Sequence, residues 1–358
     1  MDFFKEGKVK FFAEDKQLKK AEVFFNPKRK FDRDLNVLLV SSLMHENSSG
    51  LELFSGSGVR SLRLCIETGK FSSFAFNDIK SRDIVKKNLE INRRELSKVD
   101  KKVTNLDAAV FESNKKYDYI DIDPFGSPVF YLNSAFNLLK KGGIIAVSAT
   151  DTAALMGSAQ RACMRKYGSV SLKTAYSNEL GIRILIKKVV EEAASYSIKL
   201  LPLLFNFEGN FLRVYFKSVS SNKKEKIGYA YQCSKCPSRQ IKREIKCSYC
   251  GSAVYRMGKL WLGPLYSKKH VIRMLSELNK NNLDFPQSVA LKLSDYLTRL
   301  SNELEVFSYY TTSQISSFLK QPELSISGFK DKTVLSPKGF RIAVGFHDFL
   351  NHNLKELR

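Results

Sequence analysis

Four cysteines with the spacing of a metal site lie in the second half of the sequence. They form two Cys-x-x-Cys pairs separated by ten residues: Cys233, Cys236, Cys247 and Cys250. Each pair can present two thiolates to one ion, and a short hairpin can bring the second pair back, which completes the tetrahedral four-sulfur site of a structural zinc. We therefore expect a zinc ribbon that binds Zn2+ without an open position for catalysis. Paired redox disulfides are the alternative, although neither pair follows a strand in a thioredoxin-like βαβ pattern.

Glycines and carboxylates that could bind a nucleoside cofactor follow the strands of a β/α pattern. From about residue 49 to residue 150, apolar strand-like segments alternate with helical ones, and two further strands meet at Glu208-Gly209-Asn210 as a hairpin. We expect an α/β fold with a mainly parallel, doubly wound sheet and an antiparallel edge hairpin. Ligands of such sheets bind beyond the carboxyl ends of the strands. Those ends carry Ser55-Gly56-Ser57-Gly58, Asp78, Asp107 and Asp123.

The sequence also predicts the elements that position these groups. Val59 to Thr68 reads as a helix that Gly69 ends, and the third strand should end near Asp107. The fourth strand, Tyr117 to Ile122, runs into a loop rich in proline and glycine. A helix from Tyr131 to Lys141 should then stop at Gly142-Gly143.

The glycine loop and the carboxylate at residue 78 together suggest an adenosine site. The loop alone is weak, because Ser61 replaces the third glycine of a dinucleotide fingerprint and a simple tight turn explains it equally well. A carboxylate at the end of the second strand, here Asp78, can accept both ribose hydroxyls. Asp107 at the third strand could accept a proton of an adenine amine. These groups suit either a dinucleotide or S-adenosyl-L-methionine.

The loop after the fourth strand distinguishes these two cofactors. Asp123-Pro124-Phe125-Gly126 resembles the [Asp/Asn]-Pro-Pro-[Tyr/Phe] loops of methyltransferases that modify amines conjugated to an aromatic ring. The lone pair of such an amine is delocalised into the ring. A carboxylate and a backbone carbonyl can accept its two protons and localise that pair for attack on a methyl sulfonium, while Phe125 stacks on the base. The alternative is a turn without chemistry.

Distinctive segments are spread over most of the chain: Phe25-Asn26-Pro27, Asp32-Arg33-Asp34 with Asn36, residues 54–60 (FSGSGVR), Asn77-Asp78, residues 121–128 (DIDPFGSP), residues 149–154 (ATDTAA), Asn178-Glu179-Leu180, Arg213-Val214-Tyr215 and residues 261–265 (WLGPL). Through these segments the chain resembles the tRNA guanine-26 N2-methyltransferases, among which the archaeal members are most similar in length. The segments DPFGSP and ATDTAA are together highly specific for this family.

The resemblance implies a class I S-adenosylmethionine-dependent methyltransferase fold and assigns roles to individual residues. Asp123 would accept the target amine of guanine 26, and Phe125 would stack on the base. One or two methyl groups would be transferred. The residues implied to bind S-adenosyl-L-methionine are Arg33, Arg60, Asp78, Asp107 and Ala108. We expect Gly56 and Gly58 of the glycine loop to belong to the same cofactor site.

The physical support for these roles differs from residue to residue. Arg33 and Arg60 offer rigid forks that could bind the cofactor carboxylate bidentately, and ordinary surface arginines are the alternative. Asp151 follows the fifth strand at the same edge. It could hold the base, orient the loop, or serve as a helix N-cap.

Charge and composition point to a polyanionic partner and to two domains. There are 59 Lys and Arg against 36 Asp and Glu, and 43% of residues are hydrophobic, which excludes a disordered chain. Nucleic acid, here tRNA, is the expected partner, although a generally lysine-rich composition would give a similar charge. The polar stretch near residues 220–228 suggests a linker. We expect a methyltransferase domain with an N-terminal extension at residues 1–222 and a zinc-ribbon and helical tRNA-binding domain at residues 223–358.

The remaining features predict the setting in which the protein works. No run of about 18 apolar residues is present, and the N-terminus alternates charges with aromatics, so we expect a cytoplasmic protein without a membrane partner. No protein partner is evident, which favours a monomer. Cys65 and Cys163 should be small buried residues.

Two rival functions remain. One is an enzyme that methylates adenine or cytosine amines in DNA, and the other is a non-catalytic RNA-binding protein on a degenerate methyltransferase fold. A nicotinamide dehydrogenase would leave the DPFG loop and the ribbon unexplained.

Overall fold

A seven-stranded mixed sheet forms the centre of the molecule. The computed structural model describes residues 1–14, 25–221, 224–280 and 283–353. The strands in these residues are β1 (Asp2–Glu6), β2 (Val9–Ala13), β3 (Ser48–Glu52), β4 (Phe71–Asn77), β5 (Asp100–Thr104), β6 (Tyr117–Ile122), β7 (Leu139–Ala149), β8 (Leu200–Glu208), β9 (Phe211–Ser218), β10 (Ile227–Cys233), β11 (Arg239–Gln240), β12 (Val254–Trp261), β13 (Tyr310–Thr311) and β14 (Gly339–Phe340).

Helices pack against this sheet, and four further helices lie in the described residues of the C-terminal part. Short 3-10 turns at Pro27–Arg29, Ala108–Val110, Val129–Tyr131 and Ile326–Gly328 connect some of them. The α-helices of the described residues are α1 (Lys30–Leu43), α2 (Val59–Thr68), α3 (Arg82–Ile91), α4 (Leu132–Leu138), α5 (Thr152–Leu155), α6 (Gln160–Tyr167), α7 (Ser177–Ser195), α8 (Lys268–Asn279), α9 (Gln287–Asn302), α10 (Thr312–Leu319) and α11 (Phe346–Asn353).

The strand order of the central sheet is β5-β4-β3-β6-β7-β9-β8. The first five of these strands are parallel, whereas β9 runs antiparallel to β7 and forms a hairpin with β8. Because β3 pairs with both β4 and β6, the strand order reverses there, and a crevice opens at the carboxyl ends of these strands. The predicted doubly wound sheet with an antiparallel edge hairpin is confirmed.

Local signals set several element boundaries as predicted. Helix α2 spans the predicted residues, and Gly69 ends it in the left-handed conformation at φ +63°. Strand β6 also has its predicted bounds. Strand β5 ends at Thr104, before the predicted end near Asp107, because the Asn77 side chain bonds to the backbone N–H and C=O of Leu106 and holds that residue in a loop.

The predicted helix from Tyr131 to Lys141 is wrong at its end. Helix α4 stops at Leu138, and β7 begins at Leu139, which pairs with Tyr117 of β6. The register between β6 and β7 then shifts, so residues 140–143 form an irregular segment within the strand. At Gly143, a Cβ atom would lie 3.1 Å from the carbonyl oxygen of Asp118. The glycines therefore permit a close approach of two strands and do not end a helix.

The part of the chain after β9 packs on the sheet through a continuous apolar core. The sheet β11-β10-β12 carries the cysteine pairs, and α8 and α9 form a hairpin that packs against α1. Buried residues of β12 and α8, such as Leu260 and Val271, belong to the same apolar cluster as the central sheet. The expected boundary near residue 222 lies between β9 and β10, and residues 222–223 are outside the described residues. The division into two domains stays a prediction.

Candidate active site and candidate metal centre

A cavity of about 540 Å3 opens at the carboxyl edge of the sheet. Its walls come from the loops that follow β3, β4, β5 and β6 and from the segment before α1. Of the nine residues expected to bind cofactor or guanine, eight line this cavity: Arg33, Gly56, Arg60, Asp78, Asp107, Ala108, Asp123 and Phe125. Gly58 lies just behind them as the N-cap of α2, at φ +76°. The fold thus brings the predicted residues together.

The glycine loop and Asp78 form one hydrogen-bonded unit. The Gly56 N–H donates to Asp78 Oδ2 at 2.8 Å, and Oδ1 of the same carboxylate accepts from the N–H groups of Lys80 and Ser81 at 2.9 Å. Gly56 has φ +52°, a conformation that L side chains rarely adopt. These bonds fix the carboxylate at the cavity wall, where its remaining lone pairs can accept hydroxyl protons.

The loop after β5 contributes the next wall. Asp107 is exposed, and its Oδ1 accepts the N–H of Ala109 at 2.9 Å, which caps the short turn Ala108–Val110. Ala108 is buried beside it. The turn presents a carboxylate and backbone groups to the cavity, which is the arrangement expected for recognition of an adenine edge.

Asp123 lies at the centre of an arginine cluster. Arg29 Nη1 is 3.2 Å from both carboxylate oxygens, and Arg60 Nη2 is 3.1 Å from Oδ2. Arg213 Nη1 is 3.9 Å from Oδ2. Burial by itself would raise the pKa of Asp123, but the positive charges of these arginines outweigh it and hold the pKa well below its usual range. The carboxylate is therefore ionised at neutral pH and acts as a hydrogen-bond acceptor.

Further buried charged residues lie next to Asp123 and its arginine partners. Arg213 forms an ion pair with Asp121, whose Oδ2 also accepts the Tyr119 hydroxyl at 2.7 Å. Arg60 Nη2 lies 2.9 Å from Asp32 Oδ2. Burial and the charge of Asp121 raise the pKa of Glu52, which also lines the cavity, to about 8. The cluster alternates acids and arginines, so that most charges face an opposite charge.

The sequence analysis assigned no role to Arg29 or Arg213. Arg213 sits in the middle of the apolar strand FLRVYF, and a charge in a buried strand must be paired, which is a signal that could have been used. Arg29 follows Asn26-Pro27 in a short turn, and its guanidinium lies over the Phe211 ring at 4.1 Å. No local pattern marks Arg29, because its partner is 94 residues away in the chain.

Arg33 and Arg60 line the cavity, but neither is an ordinary surface arginine. Arg33 is buried and binds Glu6 through Nε at 2.7 Å and Nη2 at 2.6 Å. Arg60 is buried and contacts Asp32 and Asp123. Both guanidinium groups thus have carboxylate partners within the protein, and a cofactor carboxylate would share their N–H donors.

The loop that carries Phe125 is tied to the loop after β7. The Gly126 N–H donates to Thr150 Oγ1 at 2.6 Å, and the Thr150 N–H donates to the Gly126 carbonyl at 2.9 Å. Gly126 has φ +85°, which a residue with a side chain would strain to adopt. Phe125, between this anchor and Asp123, is 79% exposed and lines the cavity. The two most specific segments of the sequence therefore form one structural unit.

A second connection runs from this loop to α6. The Ser127 hydroxyl donates to Tyr167 Oη at 3.0 Å, and the Tyr167 hydroxyl donates to Asp151 Oδ1 at 2.6 Å. Asp151 also pairs with Lys166 at 3.0 Å. Asp151 occupies the N-cap position of α5, but its side chain makes no capping hydrogen bond. Of the roles considered for Asp151, orientation of the loop is the one that these contacts support.

The four cysteines of the two pairs converge at the tips of two turns. Their Sγ atoms all lie within 4.8 Å of one another, with Cys233–Cys250 at 3.4 Å and Cys236–Cys247 at 3.6 Å. Four thiolates at about 2.3 Å from one zinc ion would have similar separations. The donor set and its spacing therefore fit a tetrahedral Zn2+ site. Cys65 and Cys163 are buried elsewhere, as expected.

Among the described residues, no helix combines the length and apolar character that crossing a bilayer requires.

Comparison with known proteins relates this site to a family. The sequence matches the N2,N2-dimethylguanosine tRNA methyltransferase family over residues 7–347. The tRNA (guanine(26)-N(2)/guanine(27)-N(2))-dimethyltransferase of Aquifex aeolicus is 30% identical, with 92% of this chain and 88% of that protein covered. The tRNA (guanine(26)-N(2))-dimethyltransferase of Pyrobaculum aerophilum is 32% identical, with 97% of this chain and 90% of that protein covered. The structure of Trm1 from Pyrococcus horikoshii with S-adenosyl-L-methionine superposes with a TM-score of 0.79 at 26% identity and covers 98% of this chain and 99% of that one.

Proposed function

This chain belongs to the N2,N2-dimethylguanosine tRNA methyltransferase family, and we propose that it transfers methyl groups from S-adenosyl-L-methionine to the exocyclic N2 of guanosine 26 in tRNA. The observation that carries this proposal is that one cavity contains both a set of residues suited to the cofactor and a set suited to the target base. The glycine loop with Asp78 and Asp107 suits an adenosine, and Asp123 with Phe125 suits a planar aromatic amine. The relatives named above supply the substrate class.

The residues of this chain fit S-adenosyl-L-methionine part by part. Asp78 would accept the ribose hydroxyls, Asp107 and the backbone of Ala108 would bind the adenine edge, and the loop from Gly56 to Gly58 would pass close to the ribose. Arg33 and Arg60 reach the cavity and would offer their remaining N–H donors to the carboxylate. When bound, the cofactor supplies an electrophilic methyl sulfonium group.

Asp123 and Phe125 would orient the guanine for attack. The target base must leave its stack, at a cost of a few kcal/mol, and Phe125 would replace part of the lost stacking. The Asp123 carboxylate and the Pro124 carbonyl would each accept a hydrogen bond from one N2–H group. These bonds would direct the nitrogen lone pair at the methyl carbon. Arg29, which now donates to both oxygens of Asp123, would share this carboxylate with the amine.

The proton balance suits a carboxylate of low pKa. A carbon–sulfur bond breaks as the nitrogen–carbon bond forms, and the nitrogen then carries one proton too many. An alkylated aryl ammonium is a strong acid, so even the weakly basic Asp123 can accept its proton or pass it to water. Most of the rate acceleration would come from positioning and from exclusion of water. Loss of the proton restores a lone pair and allows a second methylation.

We further propose that the ribbon holds one structural zinc ion and that the C-terminal part binds the tRNA. The four thiolates fill all positions of a tetrahedral site, so the ion would stabilise the fold and would not activate water. In this proposal residues 1–222 form the methyltransferase domain and residues 223–358 the tRNA-binding domain. We expect a monomer that acts in the cytoplasm, and light scattering on the purified protein tests the oligomeric state.

The activity is tested by mass spectrometry of nucleosides from an unmodified tRNA transcript incubated with the protein and S-adenosyl-L-methionine. We expect N2-methylguanosine and N2,N2-dimethylguanosine, and neither when guanosine 26 is replaced. Asp123→Ala should abolish the product, whereas Asp123→Asn, which keeps one acceptor oxygen, should retain part of the rate. Methylation of another base would show that guanosine 26 is not the substrate. Full activity of Asp123→Ala would contradict the role of this residue.

Zinc is tested by elemental analysis of the purified protein. We expect one zinc per chain, and loss of zinc in Cys247→Ser, because three thiolates and a hydroxyl bind the ion far more weakly. Cys163→Ala removes a buried cysteine outside the ribbon and serves as the matched control, with its zinc retained. Equal zinc content in both variants would contradict the proposed site.

A further inference from the structure

An open groove of about 820 Å3 lies apart from the active-site cavity, where the catalytic part, the ribbon and α10 meet. Each of the three regions contributes one lysine to its walls: Lys173 from the segment before α7, Lys235 from the first Cys-x-x-Cys turn, and Lys320 at the end of α10. All three side chains are exposed. The residues that line the groove include no Asp or Glu. The groove therefore presents positive charge from three separate elements toward one space.

These charges are not neutralised by the described part of the chain. None of the three lysines takes part in a salt bridge among the described residues, although 36 Asp and Glu are present in the sequence. A zinc ion held by four thiolates would carry net negative charge, which Lys235, within the first turn, would partly offset. Lys173 and Lys320 belong to other elements, so this role does not account for them.

Helix α6 connects the groove with the catalytic loop. Gln160, its first residue, lines the groove, and Tyr167, its last residue, bonds to Ser127 of the loop that carries Phe125. Arg161 and Arg165 are exposed on this helix and form no salt bridge with any described residue. Eight helical residues span about 12 Å. A basic track, defined as Lys173, Lys235, Lys320, Arg161 and Arg165, thus leads from the groove toward the site of methyl transfer.

We propose that this groove binds the sugar–phosphate backbone of the tRNA and that the basic track guides the backbone toward the catalytic loop. The proposal rests on the proposed function and deepens it by assigning a docking surface. Phosphate contacts from unpaired Lys and Arg fix the register of a nucleic acid without reading sequence, and the Gln160 amide can bond to phosphate or ribose. Such contacts would also offset the cost of extracting the target base.

The test compares two triple variants that lose the same charge. The groove variant is Lys173→Ala/Lys235→Ala/Lys320→Ala. The matched control is Lys115→Ala/Lys116→Ala/Lys141→Ala, whose lysines are exposed at the opposite edge of the sheet, before β6 and near the start of β7. Binding of an unmodified, fluorescently labelled tRNA transcript is measured at several salt concentrations. Binding of S-adenosyl-L-methionine is measured by calorimetry.

We expect the groove variant to weaken tRNA binding at least tenfold and to reduce the slope of log K against log salt by about one for each phosphate that the protein no longer binds. The control variant should bind within about twofold of the wild type, and cofactor affinity should not change in either. In steady-state assays the groove variant should raise KM for tRNA while kcat at saturating tRNA is retained. Arg161→Ala/Arg165→Ala should also raise KM.

The outcomes separate this inference from the proposed function. If the wild type methylates guanosine 26 and both triple variants weaken binding equally, only net charge matters and the docking surface is refuted. Unchanged binding by the groove variant would refute it as well. If the wild type binds tRNA through the groove but does not methylate it, the proposed function fails while the docking surface stands. Displacement of tRNA from the wild type by polyglutamate at equal charge concentration would assign the groove to acidic proteins and overturn the inference.

Discussion

At the residue scale, the acidity of Asp123 is set by neighbours that come from distant parts of the chain. A buried carboxylate without partners would hold a proton at neutral pH, and one of its two acceptor oxygens would then be an O–H donor. Arg29, Arg60 and Arg213 reverse this tendency. Of these three side chains Arg29 is the most accessible, at 19%, whereas Arg213 is fully buried. Arg29 is therefore the partner that can be replaced with the least effect on folding.

Replacement of Arg29 should reveal the titration of Asp123 in the pH–rate profile. In the wild type the depressed pKa keeps Asp123 ionised, so single-turnover rates should not fall with Asp123 protonation between pH 5 and 8. In Arg29→Ala the pKa of Asp123 should rise, and the rate should decline as pH falls through the raised value. Lys28→Ala, at the exposed neighbouring residue, is the control. An identical profile for wild type and Arg29→Ala would refute this account of the cluster.

At the element scale, the loop that carries Asp123 and Phe125 is held by hydrogen bonds to two neighbouring elements. Gly126 and Thr150 join the loops after β6 and β7, and Ser127 and Tyr167 join the loop to α6. These bonds help to fix where Asp123 and Phe125 lie. Displacements of about 1 Å at a reacting centre can cost two orders of magnitude in rate.

Tyr167→Phe should therefore affect catalysis more than cofactor binding. The substitution removes the donor to Asp151 and the acceptor for Ser127, and we expect kcat to fall about tenfold with an unchanged dissociation constant for S-adenosyl-L-methionine. The loss of unfolding free energy should be about 1–3 kcal/mol because the buried Ser127 hydroxyl loses its acceptor. Tyr117→Phe is the matched control, since its hydroxyl contacts Ser113 at the opposite edge. An equal loss of kcat in both variants would indicate a merely structural effect.

At the scale of the whole molecule, a buried ion cluster joins the catalytic part to the C-terminal part. Glu179 of α7 pairs with Arg183 at 2.7 Å and with Arg341 at 2.9 Å, and Arg341 also binds Glu303. Burial would raise the pKa of Glu179, but Arg341 and Arg183 outweigh it and lower the pKa. The stabilisation by this carboxylate is therefore present above its ordinary pKa and is lost as pH falls through the lowered value.

Breaking this cluster should destabilise the protein strongly. Arg341→Met leaves two buried carboxylates without their shared partner, and we expect the free energy of unfolding to fall by about 3–5 kcal/mol at pH 7. Lys338→Met breaks an exposed pair with Glu323 and should change the free energy of unfolding far less. Urea unfolding followed by circular dichroism measures both. A similar small change in the two variants would mean that the cluster does not hold the two parts together.

Patterns of short range were sufficient to predict the fold class and part of the site. The spacing of Cys233, Cys236, Cys247 and Cys250 predicted their convergence, because a Cys-x-x-Cys turn is a local structure. The alternation of strands and helices predicted the parallel sheet, and the carboxyl ends of parallel strands necessarily share one edge. Gly56, Asp78, Asp107 and Asp123 could therefore be placed at one cavity from their positions alone.

Only the tertiary structure decided which charges meet at that cavity and which surfaces face outward. Arg29 comes from a turn before α1, and Arg213 comes from β9, the inner strand of the antiparallel edge hairpin. No local pattern records that both reach Asp123. The irregular segment at residues 140–143 has the same cause: Gly143 looks like a helix stop until the backbone of β6 lies against it. The burial of side chains, the pairing of charges and the groove between three regions all depend on contacts between residues that are distant in the sequence. These contacts, and their contribution to the free energy, exist only once the chain has packed.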